Sequence, residues 1–255
     1  MNFHFPSYKK LSTFKNYLIL SSLLFFSCIS VWFFGKNPLL ASIPILAIGI
    51  LFLLYIKSWK LFIVYVLFAS LGTIQEIFFI SRGLWFYSKE SFLLVPLYLP
   101  FVWGNIGLIA VSAFKGIRMI DRKKRLLHNP PNFWLICIIT FCTGIAAILS
   151  IRLFYLETVK IVTILICIDI VYIFLMRSIP LAFVGLFSMI GGAVGDLVSV
   201  SLNLWSYPLE NTFAGVPPYI FIGWDVIGLL IVGLYLALDS SDAPLPRWMK
   251  DKTEN

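Results

Sequence analysis

The chain has 255 residues, 60% of them hydrophobic and 13% charged, with a formal net charge of +8 at pH 7. A soluble domain of this length cannot hide so large an apolar share in one core, because a folded surface still needs polar cover. A mean hydropathy of +0.94 excludes that class and leaves no room for a separate soluble domain.

Apolar runs predict membrane-spanning helices over residues 17–34, 39–56, 61–80, 98–114, 133–151, 161–176, 181–200 and 219–238. Such runs approach or reach the length that a helix needs to cross the hydrocarbon. The expected fold class is all-α: a polytopic membrane helical bundle of about eight transmembrane helices in two parallel four-helix repeats. Lys9, Lys10 and Lys15 precede the first run as they would a signal peptide. It lacks a small-x-small cleavage site and another run follows at once, so it reads as a true span. The four cysteines (Cys28, Cys137, Cys142 and Cys167) all fall inside apolar runs and form no ligand-like pair. They read as small packing residues.

The basic residues set an expected orientation. Of the 20 Lys and Arg, only Lys36, Arg82, Lys89, Arg152 and Lys160 fall on one side, and the remaining fifteen on the other. That bias places both termini in the cytoplasm, and a prokaryotic plasma membrane is the expected location. It also accounts for most of the positive charge, so nucleic acid is not an expected partner. The run Arg122-Lys123-Lys124-Arg125 reads as a topogenic loop, with membrane lipids as its neighbours.

An internal repeat organises the chain. Gly72-Thr73-Ile74-Gln75-Glu76, followed by Leu84-Trp85-Phe86-Tyr87, matches Gly192-Ala193-Val194-Gly195-Asp196, followed by Leu204-Trp205-Ser206-Tyr207, at an offset of 120. Val95-Pro96-Leu97-Tyr98 with Trp103 and Gly107 matches Val216-Pro217-Pro218-Tyr219 with Trp224 and Gly228 at an offset of 121. Four spans separate the copies, so both point the same way, related by a pseudo-twofold axis along the membrane normal. The expected division is a first repeat over 1–115, a basic linker over 116–131 containing Pro130-Pro131, a second repeat over 132–240 and a tail over 241–255.

Glu76, Asp169, Asp196 and Asp225 lie inside predicted spans, with no Lys, Arg or His there to pair with them. A carboxylate at membrane depth is costly, and its default reading is functional. Burial without a cationic partner favours the protonated form of any carboxylic acid, and that form donates a proton. Asp169 is the exception: its repeat equivalent is Gly49, and it reads as hydrogen-bonding a neighbouring helix. Glu76, Asp196 and Asp225 share a level roughly 6–9 Å below one boundary at about 1.5 Å per residue, together with Gln75, Asn105, Trp103 and Trp224. The loops carrying Trp85, Tyr87, Trp205 and Tyr207 fold over that layer. The expectation is one acidic, aromatic-walled pocket, with Glu76 and Asp196 catalytic. Trp85, Tyr87, Trp103, Asn105, Trp205, Tyr207, Trp224 and Asp225 are expected to bind substrate. Gly191 and Gly195 are expected to let a neighbouring helix approach and draw the acids together.

No Asp-rich diphosphate motif, phosphate-binding loop, His/Cys cluster or hydrolytic triad is present in the sequence, so neither a metal nor another cofactor is expected. What remains is acid chemistry on an apolar molecule, or proton-linked movement of one.

The string Asp196…Leu204-Trp205-Ser206-Tyr207…Ala214-Gly215-Val216-Pro217…Gly223-Trp224 resembles the carotenoid 1,2-hydratase family of membrane proteins, across most of the third, fourth, seventh and eighth spans. The first copy departs from it, with Gly83-Leu84-Trp85-Phe86-Tyr87 where that family tends to have a Pro-Phe-Gly turn. The heterodimeric-type lycopene cyclases and the integral-membrane terpene cyclases are similar more distantly. The resemblance implies protonation of an isoprenoid alkene by Glu76 or Asp196, with Trp and Tyr faces stabilising the cation. Water or an internal alkene then captures it. The rival is a proton-coupled transporter or lipid-handling protein using the same acids as a relay, and a scaffold without turnover is a third reading. The shallow layer of acids, with no polar chain continuing to the cytoplasm, favours the enzyme.

Overall fold

The computed structural model describes residues 7–89, 93–121, 132–154, 156–208 and 212–240. Among them are eight α-helices: α1 (Ser7–Phe34), α2 (Pro38–Ile56), α3 (Trp59–Ser81), α4 (Leu99–Asp121), α5 (Phe133–Phe154), α6 (Thr158–Met176), α7 (Ile179–Ser201) and α8 (Pro218–Ser240). Seven are long and apolar enough to cross a membrane, and α1 carries the apolar segment Ser21–Phe34. The helices overrun the predicted apolar runs at most ends. The largest excess is in α1, which begins at Ser7; α4 continues to Asp121, so the expected boundary at 115 falls inside a helix. The rest of the expected linker and the tail lie outside the described residues.

Large apolar side chains point outward all round the bundle, among them Phe33, Val159 and Phe174, each more than three-quarters exposed. An outward apolar surface of this extent is untenable in water and suits lipid. The chain is a multi-pass membrane protein.

Element bounds repeat between the halves: α2 and α6, and likewise α3 and α7, start and end 120 residues apart. The helix ends repeat as well. Lys57 and Arg177 both take the left-handed conformation (φ 51° and 49°) and close α2 and α6, while Ser58 and Ser178 open the next helix in extended conformation.

α4 and α8 form the centre. α4 packs against α1, α2 and α3, and α8 against α5, α6 and α7; the halves meet through α4–α8, α3–α8 and α4–α7. A short ribbon caps one end, with β1 (Phe86–Tyr87) antiparallel to β2 (Trp205–Ser206). Phe86 pairs with its own repeat equivalent Ser206, and Tyr87 pairs with Trp205. The rings of Trp85 and Tyr207 meet edge-on at 5.9 Å, and those of Tyr87 and Trp205 at 5.5 Å. Beneath them Trp103 stacks on its equivalent Trp224 at 5.4 Å. Self-paired equivalents flanked by exchanged partners are the pattern that a twofold axis generates.

Candidate functional site

Helix termination places the site. At the end of α3, Gly83 N–H bonds the Ile80 carbonyl (2.8 Å) and Leu84 N–H bonds the Phe79 carbonyl (3.1 Å). At the end of α7, Asn203 N–H bonds Val200 (2.9 Å) and Leu204 N–H bonds Ser199 (2.9 Å). Gly83 and Asn203 adopt the left-handed conformation that this double closure requires. The chain therefore reverses at once, and the indole nine residues beyond each acid folds back over it.

In the first half, Trp85 Nε1 donates to Glu76 Oε2 at 2.8 Å and the Tyr87 hydroxyl donates to the same oxygen at 3.1 Å. In the second half, Trp205 Nε1 (3.2 Å) and the Tyr207 hydroxyl (2.9 Å) donate to Asp196 Oδ1. Burial, reinforced by the neighbouring carboxylates, raises both tyrosine hydroxyls well above their usual range, so they stay protonated donors.

The fourth contact breaks the symmetry. Trp224 Nε1 donates to Asp196 Oδ2 at 2.5 Å, whereas Trp103 lies close to Glu76 without closing a hydrogen bond. The shorter Asp side chain is clamped through both oxygens. The longer Glu76 is held through Oε2 alone, and its Oε1 is neither bonded nor sealed off. The two indoles reach this level because Gly72 and Gly192 leave their faces bare: a Cβ on either would collide with Trp103 or Trp224.

Glu76 and Asp196 open onto one cavity of about 160 Å³, walled also by Trp85, Tyr87, Trp103, Trp205, Tyr207 and Trp224. It extends along apolar side chains of α5, α6 and α8, including Ile148, Ile151, Leu165 and Leu230. The sequence reading missed this extension. The available signal was Gly144, which stands where the first half has Leu24.

Two expected binding residues lie elsewhere. Asn105 is fully buried away from the cavity, its Nδ2 donating to Ser27 Oγ (3.1 Å) and the Ile45 carbonyl (2.9 Å), so it ties α4 to α1 and α2. Asp225 packs against Gly185 of α7, and its Oδ1 is buried without a partner. Asp169 is 5% exposed and likewise has an unpartnered Oδ1. Asp169 is thus not the hydrogen-bonded tie that its isolation suggested. Asp169 and, one turn further along α6, the Tyr172 hydroxyl, which meets Thr140 at 3.1 Å, add polar groups deeper in the bundle, contrary to expectation. Gly191 and Gly195 have no neighbouring atom within 4 Å of an added Cβ and draw no helix in.

Among the described residues, no group of three or more His, Cys, Asp or Glu side chains is placed to hold a metal ion. The fold and site define a multi-pass helical membrane protein with a duplicated acid-and-indole cage. No known family, curated protein or solved structure matches the chain.

Proposed function

We propose that the protein is an integral membrane enzyme that protonates an alkene of an apolar isoprenoid without a cofactor, leading to hydration or cyclisation. The observation that carries this reading is the unequal engagement of the paired acids. Glu76 keeps one oxygen free to bear a proton over the cavity, while Asp196 accepts donors at both of its oxygens. Glu76 transfers its proton to the less substituted alkene carbon, and a tertiary cation forms at the other. The rings of Trp85, Trp103 and Trp224 line the cavity and supply π-electron density near that cation. Water adds to it, or an internal alkene does, and Asp196 takes up the proton then released. Proton return to Glu76 closes the cycle, so hydration consumes only water and cyclisation is an isomerisation.

Lipid extracts from cells with and without the gene, compared by mass spectrometry, test the proposal. A species heavier by one water, or an isomer of altered retention, is expected only with the gene; identical extracts overturn it.

A second reading, proton-coupled transport, draws on the acids outside the cage, Asp169 and Asp225. It predicts proton flux with an unaltered lipid substrate.

The proposed orientation puts the ribbon outside and the end with Lys57, Lys60, Lys115, Arg118 and Arg177 in the cytoplasm. At that end Lys60 and Arg118 share Asp239, at 3.1 and 3.7 Å. A cysteine replacing Lys89 is expected to react with an impermeant thiol reagent on intact cells, and one replacing Lys57 only after lysis. The reverse pattern refutes the orientation.

A further inference from the structure

The cavity does not share the symmetry of the helices. Its walls include Gln75 and Phe79 of α3 and Gly144, Ile148 and Ile151 of α5, but no residue of α1. Neither α3 and α5 nor the equivalent pair α7 and α1 make extended contact with each other. Ile148 lines the cavity and is also 38% exposed on the outer surface of the bundle. A Cβ on Gly223 would meet nothing within 4 Å, and one on Gly144 would touch only Leu230 at 3.6 Å or beyond. At the equivalent place between α7 and α1, the first half has Leu24 for Gly144 and Val102 for Gly223. Leu24 is fully buried in the first half, and Trp32 Nε1 binds Ser199 Oγ at 3.2 Å, tying α1 to α7. One of two symmetry-related seams thus carries a fastening hydrogen bond and larger residues, and the other has glycine at both places.

We infer that the seam between α3 and α5 is a lateral portal through which a polyprenyl hydrocarbon chain passes from the bilayer into the cavity. Its reacting end comes to lie beneath the ribbon, and its tail lies along the seam. The seam is lined by apolar side chains, and the polar groups gather at the ribbon end. An unbranched or methyl-branched chain suits that lining, whereas a headgroup-sized polar molecule would strand its hydrogen bonds there. Gly144 lies ten residues before the end of α5, so the seam descends about 15 Å at 1.5 Å per residue. The entry route is independent of the chemistry; the fate of the chain inside rests on the proposed protonation.

The test uses purified full-length protein in lipid nanodiscs with a diazirine-bearing geranylgeraniol as photoprobe. Wild-type protein is expected to take label on the α5 peptide covering 144–151 and on the cavity face of α3. Gly144→Leu and Gly223→Val install the residues that the first half carries at these positions. They are expected to reduce that label at least tenfold, while label at the lipid-facing Val159 stays constant. In a variant with the four native cysteines replaced by alanine, Ile148→Cys gives a second arm that begins from folded protein. Label there is expected to survive the substitution and to fall on reaction with a benzyl maleimide. Label unchanged by the glycine substitutions or by the maleimide overturns the portal, as does label confined to the ribbon. Specific labelling without any altered lipid in cells would leave the portal standing and remove the enzyme reading instead.

Discussion

Glu76→Gln is expected to lower product formation by about 10²–10⁴-fold, the usual contribution of a positioned proton donor, with thermal stability unchanged. The reason is geometric. Gln keeps a carbonyl oxygen where Oε2 accepts from Trp85 and Tyr87, and its amide group takes the place of the free oxygen. The cage stays intact, and only the transferable proton is lost. Asp196→Asn behaves differently, because three donors converge on its two oxygens. If the amide oxygen faces Trp205 and Tyr207, the amide nitrogen confronts the Trp224 indole N–H, donor against donor. One buried donor is then orphaned at about 1–3 kcal/mol, so this variant should lose both rate and stability. Product assays and unfolding midpoints in detergent, measured on the same preparations, separate the two outcomes. Wild-type turnover by Glu76→Gln would end the acid-catalysis reading.

Much of this arrangement was legible in the sequence, for a physical reason. The nine-residue interval from acid to indole is the path through the last turn of a helix, a left-handed closure and one extended residue, and it recurs because both halves end their third helix the same way. Depth along a helix is equally easy to count. Direction around the helix is harder, and there the reading failed. Consecutive residues differ by about 100°. Once Trp224 faces the cavity, Asp225 is therefore turned toward α7, and Asn105 stands about 200° round from Trp103. The same rotation puts Gly192 against the indole and leaves Gly191 bare. The ribbon has only two residues per strand, too short for any alternating pattern, and its pairing follows from the symmetry of the bundle.

Transplanting the first half's packing into the second is expected to stabilise the protein. Around Gly49 and Gly104 the first half buries the ring of Tyr65, which lies in tight contact with both glycines. Asp169, Gly185 and Asp225 occupy the equivalents of Gly49, Tyr65 and Gly104. Two acids with unpartnered buried oxygens thus surround the place where an aromatic ring sits in the other copy. The triple change Asp169→Gly, Gly185→Phe and Asp225→Gly removes both acids and supplies the ring without its hydroxyl, which finds no partner at Tyr65 either. Relieving two unsatisfied buried groups at about 1–3 kcal/mol each should raise stability by about 2–6 kcal/mol, read from unfolding in mixed micelles. Asp225→Gly alone empties the space over Gly185 without filling it and should destabilise. Absence of a gain in the triple variant would mean that these acids are satisfied after all. A gain with undiminished product formation would make them a packing remnant of the duplication. A gain accompanied by loss of product or of proton flux would make the pair a working part of the second half, kept at a cost in stability.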